Sequence, residues 1–323
     1  MKFSLRTTWA GAAFATTLGL SSLAAHAQVT LGFNIEDPAG SYHTNLTEEF
    51  ADLVAKYSND EVKVTVYPGG QQGNARESIE GMLIGTVDMA RSLDTFAPIV
   101  RDVEVFGLPY LYESREQFVK SLALPEVQAV VQKLADEGLI VVGWWDNGFR
   151  HMTNNKHPIV EPADVAGLKM RTPVSVTRME MFKLLGANPA PLAFTEVFTA
   201  LQTGAFDGQE NPVQLILDHK LFEVQKYLSL TKHVYNPQIV VISAIRWNQL
   251  SDTQKAAIKQ AAEEIGDKYR ANGEAVDAEV LAKLDGLIEI NEVDFAAFQE
   301  ALKPMYAAFP NQDLVNAILS TLD

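Results

Sequence analysis

Two arginines and an asparagine carry the most specific chemistry in this sequence. Arg150 follows the apolar run Leu139 to Trp145 and the turn-like pair Asn147-Gly148, and Arg171 closes the run Gly167-Leu168-Lys169-Met170. In open α/β sheets, ligands bind beyond the carboxyl ends of strands. A guanidinium presents a planar fork that matches a carboxylate with two parallel hydrogen bonds, which an ammonium cannot do. Asn211 adds an amide that both donates and accepts. Two forks and one amide suffice to hold a single carboxylate in a cleft. The competing arrangement is equally simple: the chain has 41 Asp and Glu, and each arginine could pair with one of them.

No residue pattern argues for catalysis. There is no G-x-S-x-G elbow, no phosphate loop of the Walker type and no H-E-x-x-H. Gly69-Gly70-Gln71-Gln72-Gly73 is glycine-rich but lacks dinucleotide-binding spacing and reads as a turn. His43, His151, His157, His219 and His233 are scattered without metal-ligand spacing, so neither a metal nor a cofactor is expected. The absence of cysteine excludes disulfides, thiolate metal sites and cysteine nucleophiles. A net charge of -15 repels nucleic acid and anionic lipid, and no nucleic-acid partner is expected.

The N-terminus reads as a secretory signal peptide over 1–27. Lys2 and Arg6 precede an apolar, small-residue stretch from Ala10 to Ala25, and Ala25-His26-Ala27 is an A-x-A cleavage site. The leader carries two basic residues and no acid, so the mature chain is more acidic still. An exported protein follows, periplasmic in a Gram-negative cell. The remaining roughly 300 residues exceed one typical core, so two domains are expected.

The elements that must position the arginines follow from periodicity. A short strand runs from Val29 to Phe33 with Asn34 at its end. Tyr42, Leu46, Phe50, Leu53, Val54 and Tyr57 recur at helical spacing, and Val62, Val64 and Val66 alternate as a strand. A helix through Ile79 and Met82 and a brief strand at Val87 to Ala90 complete a β-α-β-α-β order, which predicts a largely parallel sheet. The second half repeats this grammar. Ser251 with Gln254 forms a capping box that opens an unusually long helix to about Asp285, with Gly266 and Gly273 as candidate bends. Within Ala193 to Pro212, Thr195 is a candidate N-cap of a short helix ended by Gly204. Asp207-Gly208 signals a turn, Gln209-Glu210-Asn211 reads as an interaction loop, and Pro212 suits the first position of the next helix.

The order of residues adds a resemblance. Ala193 to Pro212 (AFTEVFTALQTGAFDGQENP), Gly148-Phe149-Arg150-His151-Met152-Thr153-Asn154, Gly167-Leu168-Lys169-Met170-Arg171-Thr172-Pro173 and Glu223-Val224-Gln225-Lys226 resemble the signature segments of TRAP transporter solute-binding subunits, the DctP and SiaP type. With Tyr67-Pro68 and Gly85-Thr86-Val87-Asp88, the similarity covers nearly the whole mature chain. It implies an α/β fold of two lobes joined by hinge strands, with a long helix spanning both. The implied division is 28–147 with 237–276 as lobe I, and 148–236 with 277–323 as lobe II. It further implies a periplasmic, non-enzymatic, monomeric protein that closes on a small organic acid and delivers it to integral membrane subunits of a TRAP transporter. The readings that compete with it are a two-lobed periplasmic enzyme acting on sugar acids, and a binding protein serving an ABC importer or a sensor.

By motif match, Arg171 is the principal clamp and Arg150 a second donor, Asn211 bonds the same carboxylate, Phe194 packs on the ligand body and Asn34 contacts it from the first lobe. Trp145 and Asp146, just before Arg150, stand as either ligand contacts or packing residues. Sialic-acid binders of the family carry acids where this chain has Asn74-Ala75 and Ala90-Arg91-Ser92-Leu93. That departure points to a smaller hydroxy acid, a sugar acid or a dicarboxylate.

Overall fold

A computed structural model describes Met1 and residues 28–322. The signal-peptide segment lies outside the described residues. Nine strands form one mixed sheet: β1 (Val29–Asn34), β2 (Val62–Tyr67), β3 (Met89–Ser92), β4 (Leu139–Asn154), β5 (Lys169–Thr172), β6 (Asn188–Pro191), β7 (Gly208–Pro212), β8 (Tyr227–Ser243) and β9 (Glu289–Asn291). Their order is β2-β1-β3-β8-β4-β7-β5-β6, with β9 beside β8.

The expected parallel grammar holds at the two ends and where β9 joins β8. β1 is parallel to β2 and β3, and β5 is parallel to β6 and β7. The centre is antiparallel, β3 to β8, β8 to β4 and β4 to β7. The cause is that β4 and β8 are each long enough to serve both lobes, running past one another in opposite directions. Their pairing slips between Asp146 and Phe149, where Gly148 takes a left-handed φ of 82° and Pro237 faces Asp146. Proline withholds one ladder hydrogen bond, and the slip leaves the crossover locally unpaired.

Helices cover both faces. Ser41 caps the helix Tyr42–Tyr57, whose Leu46, Phe50 and Val54 bury against β1. The long helix runs unbroken over Asp252–Leu284, opened by the Ser251/Gln254 capping box. Its first half buries Ile258, Ala261 and Ile265 with lobe I, and its last turns bury Val280 and Leu284 with Val197, Val213 and Leu228 of lobe II. It therefore spans both lobes. The C-terminal helices place Phe298, Leu302 and Leu314 in one core with Leu134 and Phe182.

The glycines of the long helix are points of close approach within a continuous element. A Cβ on Gly266 would lie 2.6 Å from the Trp144 carbonyl oxygen, and one on Gly273 would lie 2.3 Å from Arg115 Nε. Arg115 is buried there, donating 2.8 Å to Asp277 Oδ2 on the helix and 2.5 Å to Asp146 Oδ2 on β4.

Within Ala193 to Pro212 three local expectations change. The short helix begins with a 3₁₀ turn at Phe194–Glu196, and the Thr195 hydroxyl caps nothing. Gln209-Glu210-Asn211 is strand rather than loop, lying inside β7 and buried throughout. Pro212 ends that strand and caps the following helix, Val213–Asp218, one position before its first turn. The misreading has a plain cause: a strand whose polar side chains are all satisfied internally shows no apolar alternation.

Because the Trp144 carbonyl is backbone and cannot move aside, Gly266→Ala is expected to cost about 1–3 kcal/mol. A urea midpoint equal to wild type would contradict that packing.

Candidate ligand-binding site

A cavity of about 550 Å³ opens between the two ends of the sheet. It is lined by Arg150, Arg171, Asn211, Phe194 and Asn34, so five residues singled out from the sequence meet at one place. Trp145 and Asp146 do not line it. Trp145 is buried in the lobe I core, stacked on Tyr269 at 5.6 Å, and donates to the Ala262 carbonyl at 2.9 Å. Asp146 accepts from Arg115 and from the Gly148 backbone, so it fixes the strand crossover. Adjacent positions on a strand face opposite sides, and a bulge follows directly, so nearness in sequence to Arg150 did not place either in the cleft.

Arg171, on the last turn of β5's ladder, is buried at 3% exposure. Its Nε and Nη2 both donate to the Leu192 carbonyl, at 2.9 and 2.6 Å, while its Nη1 has no protein partner among the described residues. No carboxylate of a described residue lies within ion-pair distance of it. Burial and then the nearby Arg150 charge push its pKa down to about 10. Phe194 covers it, with the ring centroid 5.7 Å from the guanidinium carbon, and the same ring meets His219 edge-on at 4.5 Å.

Arg150 follows the other course that its sequence surroundings allowed. Its Nε and Nη2 edge is taken by the Glu210 carboxylate, with Nη2 to Oε1 at 2.8 Å, and Nη2 also reaches Asn211 Oδ1 at 2.9 Å. Only Nη1 remains. Asn211 is thereby oriented by Arg150 and by Gln209, to whose Oε1 it donates. Asn34 lines the cavity, but its amide donates to the Gly73 carbonyl at 2.7 Å and to Ser78 Oγ at 2.6 Å, and accepts from Gln72 N–H at 3.1 Å. It shapes the wall by pinning the turn after β2.

Glu210 was passed over in the sequence because a lone acid beside an amide carries no signal. In the fold it is fully buried, 3.1 Å from His233 Nε2 and 3.8 Å from the equally buried Arg178. Burial alone would raise its pKa; Arg150, His233 and Arg178 more than offset that and hold the carboxyl well below its usual range. Glu36, on the loop after β1, also lines the cavity, and burial pushes its carboxyl up. The missed signal was topological: β7 lies between β4 and β5, so the residues after Gly208 run alongside Arg150 and close to Arg171.

A cleft between two halves of a sheet and a desolvated arginine without an ion-pair partner suit the capture of an anion. Residues 33–313 match the family described as Bacterial extracellular solute-binding protein, family 7, DctP. The chain is 35% identical over 297 residues to the 2,3-diketo-L-gulonate-binding periplasmic protein YiaO of Escherichia coli, covering 90% of this chain and 88% of that one. It is 36% identical over 267 residues to the C4-dicarboxylate-binding periplasmic protein DctP of Rhodobacter capsulatus, covering 80% of this chain and 79% of that one. Among solved structures, a TRAP periplasmic solute-binding protein from Polaromonas bound to D-erythronate superposes with a TM-score of 0.86 at 34% identity, covering 90% of this chain and 98% of that one. The chain belongs to the DctP family, and it is a solute-binding protein of the TRAP type, not an enzyme. Among the described residues no helix is long and apolar enough to cross a membrane.

Two expectations follow for the buried charges. Glu210→Gln leaves Arg150 and Arg178 buried with one carboxylate fewer, and should destabilise by about 3–5 kcal/mol in urea unfolding. An unchanged midpoint would contradict the pairing. His151, driven by burial from 6.5 to about 3, is neutral in the folded state. The unfolded chain therefore takes up that proton first as pH falls, so stability is lost between about pH 6.5 and 3. The depressed Glu210 carboxyl acts in the same direction, and its contribution is lost at the acid end. A melting temperature that rose on acidification through this range would contradict both.

Proposed function

We propose that this protein captures a small hydroxy acid or sugar acid by its carboxylate, with Arg171 as the principal clamp, and hands it to the integral membrane subunits of a TRAP transporter. One observation carries the reading: Arg171 is buried, fixed by a backbone carbonyl, and faces the cavity with no carboxylate of a described residue within ion-pair distance. Burying an unpaired charge is costly, and a site that tolerates it is suited to receive the opposite charge. Arg150 Nη1 and Asn211 supply further polar contacts at the same wall, and Phe194 lies against the ligand body. The ligands named for the family 7 relative from Escherichia coli and for the Polaromonas structure, 2,3-diketo-L-gulonate and D-erythronate, support an oxygen-rich monocarboxylate. The dicarboxylate named for the Rhodobacter relative keeps that class as the second reading.

Closure follows from the crossover. We assign 28–147 with 237–276 to lobe I and 148–236 with 277–323 to lobe II. The strand slip at Asp146 to Phe149, opposite Pro237, supports a hinge at those boundaries. A ligand shifts the open–closed balance only by its differential affinity for the two states, so contacts on both lobes are needed. Export with cleavage after Ala27, a periplasmic site of action and a monomeric state complete the proposal.

Arg171→Ala should cost about 3–5 kcal/mol, or two to four decades in affinity, and abolish micromolar binding of the acid that stabilises wild type. The check is a thermal-shift panel of small organic acids followed by calorimetric titration. Near-wild-type affinity in the variant would sink the assignment.

A further inference from the structure

The charges around the cavity cancel in groups, with three exceptions, of which Glu196 lies exposed at the rim. Asp37 is held 2.6 Å from Arg91. Arg150 and Arg178 share Glu210, and Arg178 also lies 3.8 Å from Asp94. At the exposed mouth Arg76 pairs with Glu80. What remains inside is Arg171 on the β5 side and Glu36 on the β1 side. Among the described residues Glu36 has no ion pair and no side-chain partner; the Ala75 backbone N–H donates to its carboxylate, and it lies in the cavity wall, half-buried, attracted across the cavity by Arg171.

Its placement is fixed by the backbone. The residues on either side of it are pinned to the turn after β2: Gly70 N–H donates to the Ile35 carbonyl at 2.9 Å, and Gly69 N–H donates to the Asp37 carbonyl at 2.8 Å. The backbone beneath the carboxylate is thereby fixed, and the Ala75 N–H holds the carboxylate itself at the wall. It accepts hydrogen bonds from donors and repels a second anion.

We infer that Glu36 determines specificity by reading a hydrogen-bond donor on the ligand's far end and rejecting a second carboxylate there. The inference rests on the Arg171 clamp reading and narrows it: the ligand is a monocarboxylate whose tail carries hydroxyl or ammonium donors, and dicarboxylates are selected against. The interior of the cavity supports this, since one cation and one anion without ion-pair partners face a single ligand there.

The test is calorimetric titration of the protein with three four-carbon probes: D-erythronate, with hydroxyls on its tail; succinate, with a second carboxylate; and 4-aminobutanoate, with an ammonium. Wild type should favour a donor-bearing acid over succinate by about a hundredfold, because like charges facing one another in a closed site cost several kcal/mol. Whichever of erythronate and 4-aminobutanoate binds tighter identifies the donor as hydroxyl or ammonium. Glu36→Gln should reduce that preference by about tenfold or more, chiefly by tightening succinate, since the neutral amide can donate to a carboxylate oxygen. Glu36→Ser serves as a second variant of smaller volume. Succinate binding as tightly as the donor-bearing acids in wild type, or a preference unmoved in both variants, would overturn the role of Glu36. Failure of wild type to bind any of the three or any other carboxylate would instead overturn the Arg171 reading beneath it.

Discussion

The structure depends on keeping one guanidinium dry, fixed and unpaired. Arg171 is desolvated by the cleft, repelled by Arg150 and held by the Leu192 carbonyl alone. Left to itself such a group would recruit one of the chain's many acids or turn to solvent. Neither happens: Glu210 is saturated by Arg150, His233 and Arg178, and Glu36, on the β1 side of the cavity, acts on Arg171 only from beyond ion-pair distance. The buried Arg150–Glu210 pair is thus best understood through what it denies: it withholds a counter-ion from Arg171 and aims the Asn211 amide at the same space.

That arrangement needs strands from distant parts of the chain in register. β7 sits between β4 and β5, bringing Glu210 and Asn211 against Arg150 on one side and the β5 arginine on the other. β4 and β8 cross between lobes, and their slip at Gly148 and Pro237 concentrates backbone irregularity directly beside Arg150. The long helix and the Arg115–Asp146–Asp277 network brace the same crossover from behind. Rigid elements therefore end at the cleft, and the widest of the three slips between β4 and β8 lies where two lobes would pivot.

Much of this was legible in the sequence where local rules dominate. The helix Tyr42–Tyr57, the strand Val62–Tyr67 and the capped long helix announce themselves through apolar period and capping residues, because each buries one face against a single partner layer. Arg150, Arg171, Asn211, Phe194 and Asn34 were picked out by fork geometry and by segment resemblance, and they line one cavity. What was hidden is non-local. The antiparallel centre depends on which strands neighbour one another, which periodicity does not encode. The buried polar strand Gln209–Asn211 looks like a loop because its side chains are satisfied by one another and by residues far away in sequence. Trp145 and Asp146 were drawn toward the site by adjacency, whereas the pleat and bulge send them to the core and the crossover.

The central claim is that Arg171 is kept at a cost to the empty protein for the sake of a carboxylate. The direct measurement is the melting temperature of Arg171→Met, with and without the best-stabilising acid. Removing an unpaired buried charge at similar volume should leave the ligand-free protein as stable as wild type or more so, and should erase the shift on adding the acid. A variant that melts lower than wild type yet still gains the full ligand-induced shift would contradict the account.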